Sequence, residues 1–231
     1  MLKSPAITTG AGSSTSSASY ASDEAAAQAT QAALEEKGAK ALLVRADNRN
    51  SAEIVAFFAA AQARFGPIYG VIANAGVEEV ETPLADMSEE AFDRLSNINF
   101  KGTFLGLQQA ARTVIDGGRI IAVASTIASY PPPGSAVYAA TKAAVRLMAQ
   151  VLSLEVGERA VTVNTLDPGA VDGAGIFTSM GEDQRRAFNT LSPLGRLPRS
   201  EDLVGAVEFL LSDQAAMING HHLAVTGGFR L

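Results

Sequence analysis

Short apolar runs alternate with longer stretches of helical period almost everywhere after residue 20. The strand-like runs are Ala6-Ile7-Thr8-Thr9, Ala41-Leu42-Leu43-Val44, Gly70-Val71-Ile72-Ala73, Arg119-Ile120-Ile121-Ala122-Val123, Val161-Thr162-Val163-Asn164 and Leu223-Ala224-Val225. They are apolar on both faces, as strands inside a parallel sheet are, and lack the alternation of half-wet antiparallel strands. Between them the 3.6-residue period predicts helices over 23–36, 51–65, 89–114, 136–156 and 201–211. Ser88-Glu89-Glu90 and Ser200-Glu201-Asp202 look like helix starts, a hydroxyl acceptor followed by carboxylates in the first turn. The repeated strand–helix order predicts an α/β fold, a doubly wound parallel sheet with helices on both faces. No internal repeat or linker interrupts it, so residues 1–231 read as one domain. Gly10 to Ser19 is a low-complexity stretch of small residues that reads as a surface loop.

Composition narrows the partners. The chain has 231 residues, 18 basic and 24 acidic side chains and a net charge of −6. An acidic protein without a Lys/Arg run is expected to bind neither nucleic acid nor an anionic membrane. Cysteine is absent, and the two histidines, His221 and His222, are adjacent and point apart, so no metal site is expected. The opening residues lack the apolar stretch of a signal peptide. The longest aliphatic run, from Ile54 to Ala61, falls far short of the ~20 residues a spanning helix needs. A cytoplasmic protein is the expectation.

In doubly wound sheets ligands gather beyond the carboxyl ends of the strands. Thr9-Gly10, Asp47-Asn48, Asn74-Ala75-Gly76, Ser125 and Asp167-Pro168-Gly169 each follow a strand. Any one of them is ordinary turn chemistry; five on one edge outline a cleft. Tyr138-Ala139-Ala140-Thr141-Lys142 adds a phenol and an ammonium one helical turn apart, on one face. A cation beside the phenol should lower its pKa and suit it to exchange a proton with an alcohol or carbonyl oxygen. The same spacing also fits an ordinary tyrosine and a surface lysine. Ser125, thirteen residues earlier, supplies a neutral donor for a substrate oxygen.

Ser125, Tyr138-x-x-x-Lys142, Asn74-Ala75-Gly76 and Asn164-x-x-x-Pro168-Gly169 together resemble the short-chain dehydrogenase/reductase family. The similarity runs in order from Tyr20 to Leu231 through Asn97-Ile98-Asn99-Phe100-Lys101-Gly102-Thr103, Pro193-Leu194-Gly195-Arg196, Ile218-Asn219-Gly220 and Thr226-Gly227-Gly228. The subgroup resembled is that of bacterial 3-oxoacyl-carrier-protein reductases and similar ketone reductases. The resemblance implies a Rossmann-like α/β/α fold and hydride transfer between a nicotinamide cofactor, NADP or NAD, and a small carbonyl or alcohol substrate. It assigns Tyr138 as acid/base, Lys142 as its pKa-lowering cation and ribose ligand, Ser125 as carbonyl donor and Asn99 as anchor of a proton-relay water. Thr9, Gly10, Asp47, Asn48, Asn74, Ala75, Gly76, Pro168, Gly169 and Val171 would line the cofactor. It also implies a homotetramer built through the helices at 89–114 and 136–156, whose Gly102, Gly106, Ala110, Ala139 and Ala143 would allow close approach.

The chain departs from the family at its start. Thr9-Gly10 is present, but the later glycine positions of the family's phosphate turn fall on Ser14 and Ser16. Tyr20-Ala21-Ser22-Asp23 resembles what the family places after its second strand, only ten steps beyond Gly10. A parallel crossover needs a dozen residues or more, so the first helix and second strand cannot both fit. The expectation is a sheet of six strands, with Ala41–Ala46 moved beside Ala6–Thr9 and 23–36 as its crossover. Alternatives are that Ser13–Ser19 fills the gap as an irregular strand, or that the sequence lacks a stretch the family carries. Asp23 and Glu24 would repel a phosphate facing them, whereas hydroxyls and amides of residues 10–17 could form a substitute nest. The order Tyr20-Ala21-Ser22 resembles NADP users, and Arg45 could meet a 2′-phosphate that Asp47 would disfavour. Gly173 replaces a threonine common in the family. A non-catalytic, cofactor-impaired homologue acting as an oligomeric partner is the alternative function. Residues 172–192, polar and glycine-bearing, read as a substrate lid, with Phe177 and Met180 as an apolar face. Phe57, Phe58 and Phe65 read as core.

Overall fold

The structure is a computed structural model that describes residues 6–8, 15–179 and 181–229. The strands are β1 (Ala6–Thr8), β2 (Thr15–Tyr20), β3 (Lys40–Arg45), β4 (Ile68–Ala73), β5 (Val114–Val123), β6 (Thr162–Pro168) and β7 (His222–Val225). The helices are α1 (Glu24–Glu36), α2 (Ser51–Phe65), α3 (Glu89–Leu95), α4 (Gly102–Thr113), α5 (Ala136–Glu155), α6 (Glu182–Leu191) and α7 (Ser200–Leu211). All strands join one sheet in the order β3-β2-β1-β4-β5-β6-β7. Six strands are parallel, in two runs, β3-β2 and β4-β5-β6-β7, and β2 is not among the six expected. A seventh, β1, stitches the runs together and is antiparallel to both neighbours.

That reversal corrects the expected arrangement at the start of the sheet. The strand at 40–45 stays at the edge beside β2, not beside β1. The serine segment is itself the strand that fills the gap, Ser17 standing opposite Ile7 on one side and Leu42 on the other. Residues 9–14 are too few for a parallel crossover, but antiparallel neighbours need only a short link. The chain therefore reverses β1, which pairs with β2 on one side and β4 on the other and leaves no gap between the two runs.

Helix starts carry acceptors, at Ser88 as the sequence suggested and at two positions it did not single out. Asp23, Asn50 and Ser88 accept amide hydrogens at the starts of α1, α2 and α3. At α7 the start lies one residue earlier than the serine implied: Ser200 is helical, and the Asp202 carboxylate accepts the Arg199 amide at 2.7 Å. The helix expected over 89–114 is interrupted by a π-helical turn, Ser96–Lys101. Beneath α2, α4 and α5, Ile54, Phe57, Phe58, Val71, Ile120, Val145 and Val163 form the main core. On the other face Ile121, Leu166, Leu203 and Leu210 pack under α7.

Candidate active site

Strands β2 to β6, apart from β1, end along one edge of the sheet. There Asn74–Gly76 leave β4, Ser125 follows β5, and Pro168 and Gly169 close β6. Helix α5 lays Tyr138 and Lys142 against this edge, both nearly buried. The Ser125 hydroxyl donates to the Pro168 carbonyl at 3.4 Å and favours the charged form of the Tyr138 phenol. The Lys142 ammonium donates to the Val123 carbonyl at 3.0 Å and lies 5.9 Å from the Tyr138 ring centre.

Asn99 sits in the π turn, completely buried, and its amide is fully engaged. It accepts the Val77 amide, donates to the Val77 carbonyl, both at 2.8 Å, and donates to the Thr141 hydroxyl at 3.2 Å. The inserted turn thus aims one side chain across to the β4 exit, a known use of π turns at sites. Gly76 belongs to the same cluster. A Cβ there would stand 3.2 Å from the Lys142 ammonium and 3.4 Å from the Asn99 oxygen, so glycine keeps the strand exit close to the ammonium.

Electrostatics differ from the expectation for the tyrosine. Burial raises the Tyr138 pKa, the Glu78 carboxylate raises it further, and the Ser125 hydrogen bond only partly opposes them. Lys142 does not lower it, because burial pulls the ammonium itself down to about 8, against which Glu78 and Asp167 work.

The remaining expected cofactor residues divide. Gly169 backs onto Thr226, where a Cβ would stand 3.1 Å from its methyl group. Asp47 is gripped by the Arg49 guanidinium at 2.5–3.0 Å, which holds its carboxyl below the usual range. Asn48 turns inward, donating to the Ile98 carbonyl at 2.9 Å and packing onto Gly102, so its side chain does not face the cleft. Val171 packs under α7 with Leu203 and Leu210. Thr9 and Gly10 lie outside the described residues. Antiparallel β1 places Thr8 opposite Gly70, toward the start of β4, at the end of the sheet away from the cleft.

Three residues escaped the sequence reading as site groups. Glu78 influences both Tyr138 and Lys142, and a Cβ on Gly175 would run into its carboxylate. Arg146 continues the Tyr138, Lys142 spacing by one more turn and pairs with Asp167 at 2.6 Å; that spacing was the available signal. At the rim, Thr82 donates its amide to the Gly134 carbonyl, tying the Pro131-Pro132-Pro133 stretch to the segment after β4. In the lid stretch Phe177 stacks edge-on against Phe188, 5.3 Å between centroids, and Phe188 meets Phe229 at 6.0 Å. Phe177 is thus occupied with its own cluster, and Met180 lies outside the described residues. Among the described residues no group of three or more His, Cys, Asp or Glu could hold a metal ion, and no helix is long and apolar enough to cross a membrane.

The nicotinamide–ribose end of a dinucleotide fits these residues: a phenol, a serine hydroxyl and an ammonium meet at a glycine-narrowed strand exit. The phosphate end differs, since only six residues lie between β1 and β2 and α1 opens with Asp23 and Glu24.

Comparison with known proteins agrees with this geometry. The family model described as enoyl-(acyl carrier protein) reductase matches residues 14–230. A short-chain type dehydrogenase/reductase of Picea abies is 34% identical over 218 residues, covering 90% of this chain and 80% of its own length. A 3-oxoacyl-[acyl-carrier-protein] reductase of Rickettsia conorii is 38% identical over 160 residues, 68% of this chain and 66% of its own. The crystal structure of a blue fluorescent protein from a metagenomic library, in complex with NADPH, superposes with a TM-score of 0.84 at 30% identity, covering 92% of this chain and 86% of that one. The ordered motifs, the seven-stranded sheet and the site all lead to one conclusion: the chain belongs to the short-chain dehydrogenase/reductase family of oxidoreductases.

Proposed function

We propose that the chain interconverts a ketone and a secondary alcohol with NADP or NAD, Tyr138 exchanging the proton. The observation that carries this reading is the placement of Tyr138 and Lys142, buried on one face of α5, against the strand exit that holds Ser125. Ser125 donates to the substrate oxygen and fixes its place. Tyr138 gives that oxygen a proton on reduction and takes it back on oxidation. Burial keeps the phenol protonated, which suits it to the donor role in reduction. The Lys142 ammonium supplies donors for a ribose. Asn99 keeps Val77, and with it the Asn74–Gly76 exit, at its distance from Tyr138. The bound nicotinamide supplies or accepts the hydride.

NADP is the favoured cofactor. Arg45 ends β3 and leans on the Ala21 carbonyl at 3.4 Å, beside the Ser22 turn, where a 2′-phosphate would find both. The single domain spans 1–231, and residues 172–192 act as its lid. Tetramers form through α4 and α5, in solution in the cytoplasm. The small residues named for that contact need revision: Gly102, Gly106, Ala110 and Ala139 are buried inside the chain. The faces offered outward instead carry Phe100, Phe104, Leu147 and Val151, each more than a third exposed.

Cofactor-dependent absorbance change with a panel of ketones, in wild type and Tyr138→Phe, tests the reading. Turnover that the substitution abolishes is expected; equal rates in both would overturn it. The reversed β1 favours one second reading, a homologue that has lost cofactor binding and serves as an oligomeric partner. That reading predicts no saturable binding of either cofactor.

A further inference from the structure

Arg146 lies two turns beyond Tyr138 on α5, at the point where three segments of the site converge. One guanidinium nitrogen donates to the Ser125 carbonyl at 3.0 Å, another to the Ser129 hydroxyl at 2.5 Å, and Nε lies 2.6 Å from an Asp167 carboxylate oxygen. The Asp167 side chain is 1% exposed and that of Arg146 15%. Asp167 immediately precedes Pro168, whose carbonyl receives the Ser125 and Thr126 hydroxyls at 3.4 and 3.3 Å. One side chain thus spans the serine turn and the Pro168–Gly169 turn from the helix that carries the acid/base.

A buried ion pair is a poor source of stability, because desolvation offsets most of the attraction. This one is also a close ionic contact without well-aligned hydrogen bonds, since Arg146 Nε and both Asp167 oxygens lack a directed partner. Burial pushes the Asp167 carboxyl up, with Thr165, Arg146 and His222 opposing it, and Asp167 in turn favours the charged form of Lys142. Such an arrangement is costly to keep for stability alone. A planar fork that meets three acceptors in fixed directions is well suited to fixing geometry.

We infer that Arg146 and Asp167 are positioning residues, a buried strut that holds Ser125 and the Pro168–Gly169 turn in register with Tyr138. Its effect on turnover rests on the proposed function; its effect on the two turns does not. The test uses Arg146→Met, Arg146→Lys, Asp167→Asn and the double variant Arg146→Met/Asp167→Asn. Removing both partners leaves no lone buried charge, so the double variant is expected to melt near the wild type. Its Ile127 and Gly169 amides, bonded to Ser125 Oγ and the Val225 carbonyl, should nevertheless exchange with solvent about tenfold faster or more.

With a substrate that the wild type reduces, kcat should fall about tenfold to a hundredfold while KM for cofactor stays within a few-fold. Arg146→Lys should not restore it, because one ammonium cannot meet the three acceptors. A double variant with wild-type exchange at both amides would overturn the inference, as would wild-type kcat in that variant or full rescue by lysine. If the wild type reduces no ketone, the proposed function fails, and amide exchange alone decides whether the strut exists.

Discussion

Lys142 carries its ammonium almost fully inside the protein, where it donates to the Val123 carbonyl. Burial lowers its pKa from 10.5 to about 8. Below about pH 8 the folded chain holds a charge that the unfolded chain holds more comfortably in water. Between about 8 and 10.5 the unfolded state binds more protons, so wild-type stability from this group rises with pH and is complete above 10.5. Lys142→Met should therefore be more stable than wild type at pH 7, on the order of 2–3 kcal/mol. That gap should close through the same window in urea melts run at several pH values. A constant difference would mean that the ammonium is not desolvated as described. Sequence spacing was enough to put Tyr138 and Lys142 on one face. It could not reveal that burial and Glu78 raise the phenol's pKa, because neither desolvation nor a residue sixty positions upstream is visible in a helical repeat.

The first two strands make the same point for elements. The argument that ten residues cannot hold a parallel crossover was sound, but it assumed that β1 keeps the direction of its neighbours. Reversing a strand preserves every ladder bond at the length of a hairpin. The serine segment entered only as an alternative, an irregular strand, because serine has weak strand preference, which position between two strands overrides. Its cost is visible in β2. Ser17 and Ser19 are completely buried, and neither hydroxyl has a hydrogen-bond partner among the described residues. Each such group costs about 1–3 kcal/mol, so Ser17→Ala and Ser19→Ala should each stabilise the chain by roughly 1 kcal/mol or more. Thermal or denaturant melts that show a loss would contradict strand pairing at these positions. The long helix over 89–114 was legible from its period; the π turn that aims Asn99 was not, since an inserted residue shifts the period only briefly.

Across the molecule, the layers, the parallel strands β4 to β7 and the edge where their carboxyl ends gather follow from alternation of apolar runs and helical stretches. Outer surfaces were less legible. Small residues on α4 were read as facing another subunit, yet they pack against the sheet, Gly106 near Ala73 and Gly102 against Asn48. The apolar side chains left outside, Phe104, Leu147 and Val151 among them, form a groove between α4 and α5. A double Leu147→Glu/Val151→Glu variant should remain folded and run as a smaller species than wild type in light scattering. Unchanged mass would place the contact elsewhere.

In the function proposed, Ser125, Tyr138 and Lys142 serve a nicotinamide cofactor beside a sheet whose first strand is reversed. Calorimetric titration of the purified protein with NADPH and, separately, NADH tests it most directly. Saturable binding in the micromolar range, tighter for NADPH and weakened in Arg45→Ala, is the predicted result. No heat of binding with either cofactor up to millimolar concentration would contradict it, and would leave Ser125, Tyr138 and Lys142 as an arrangement without a cofactor to serve.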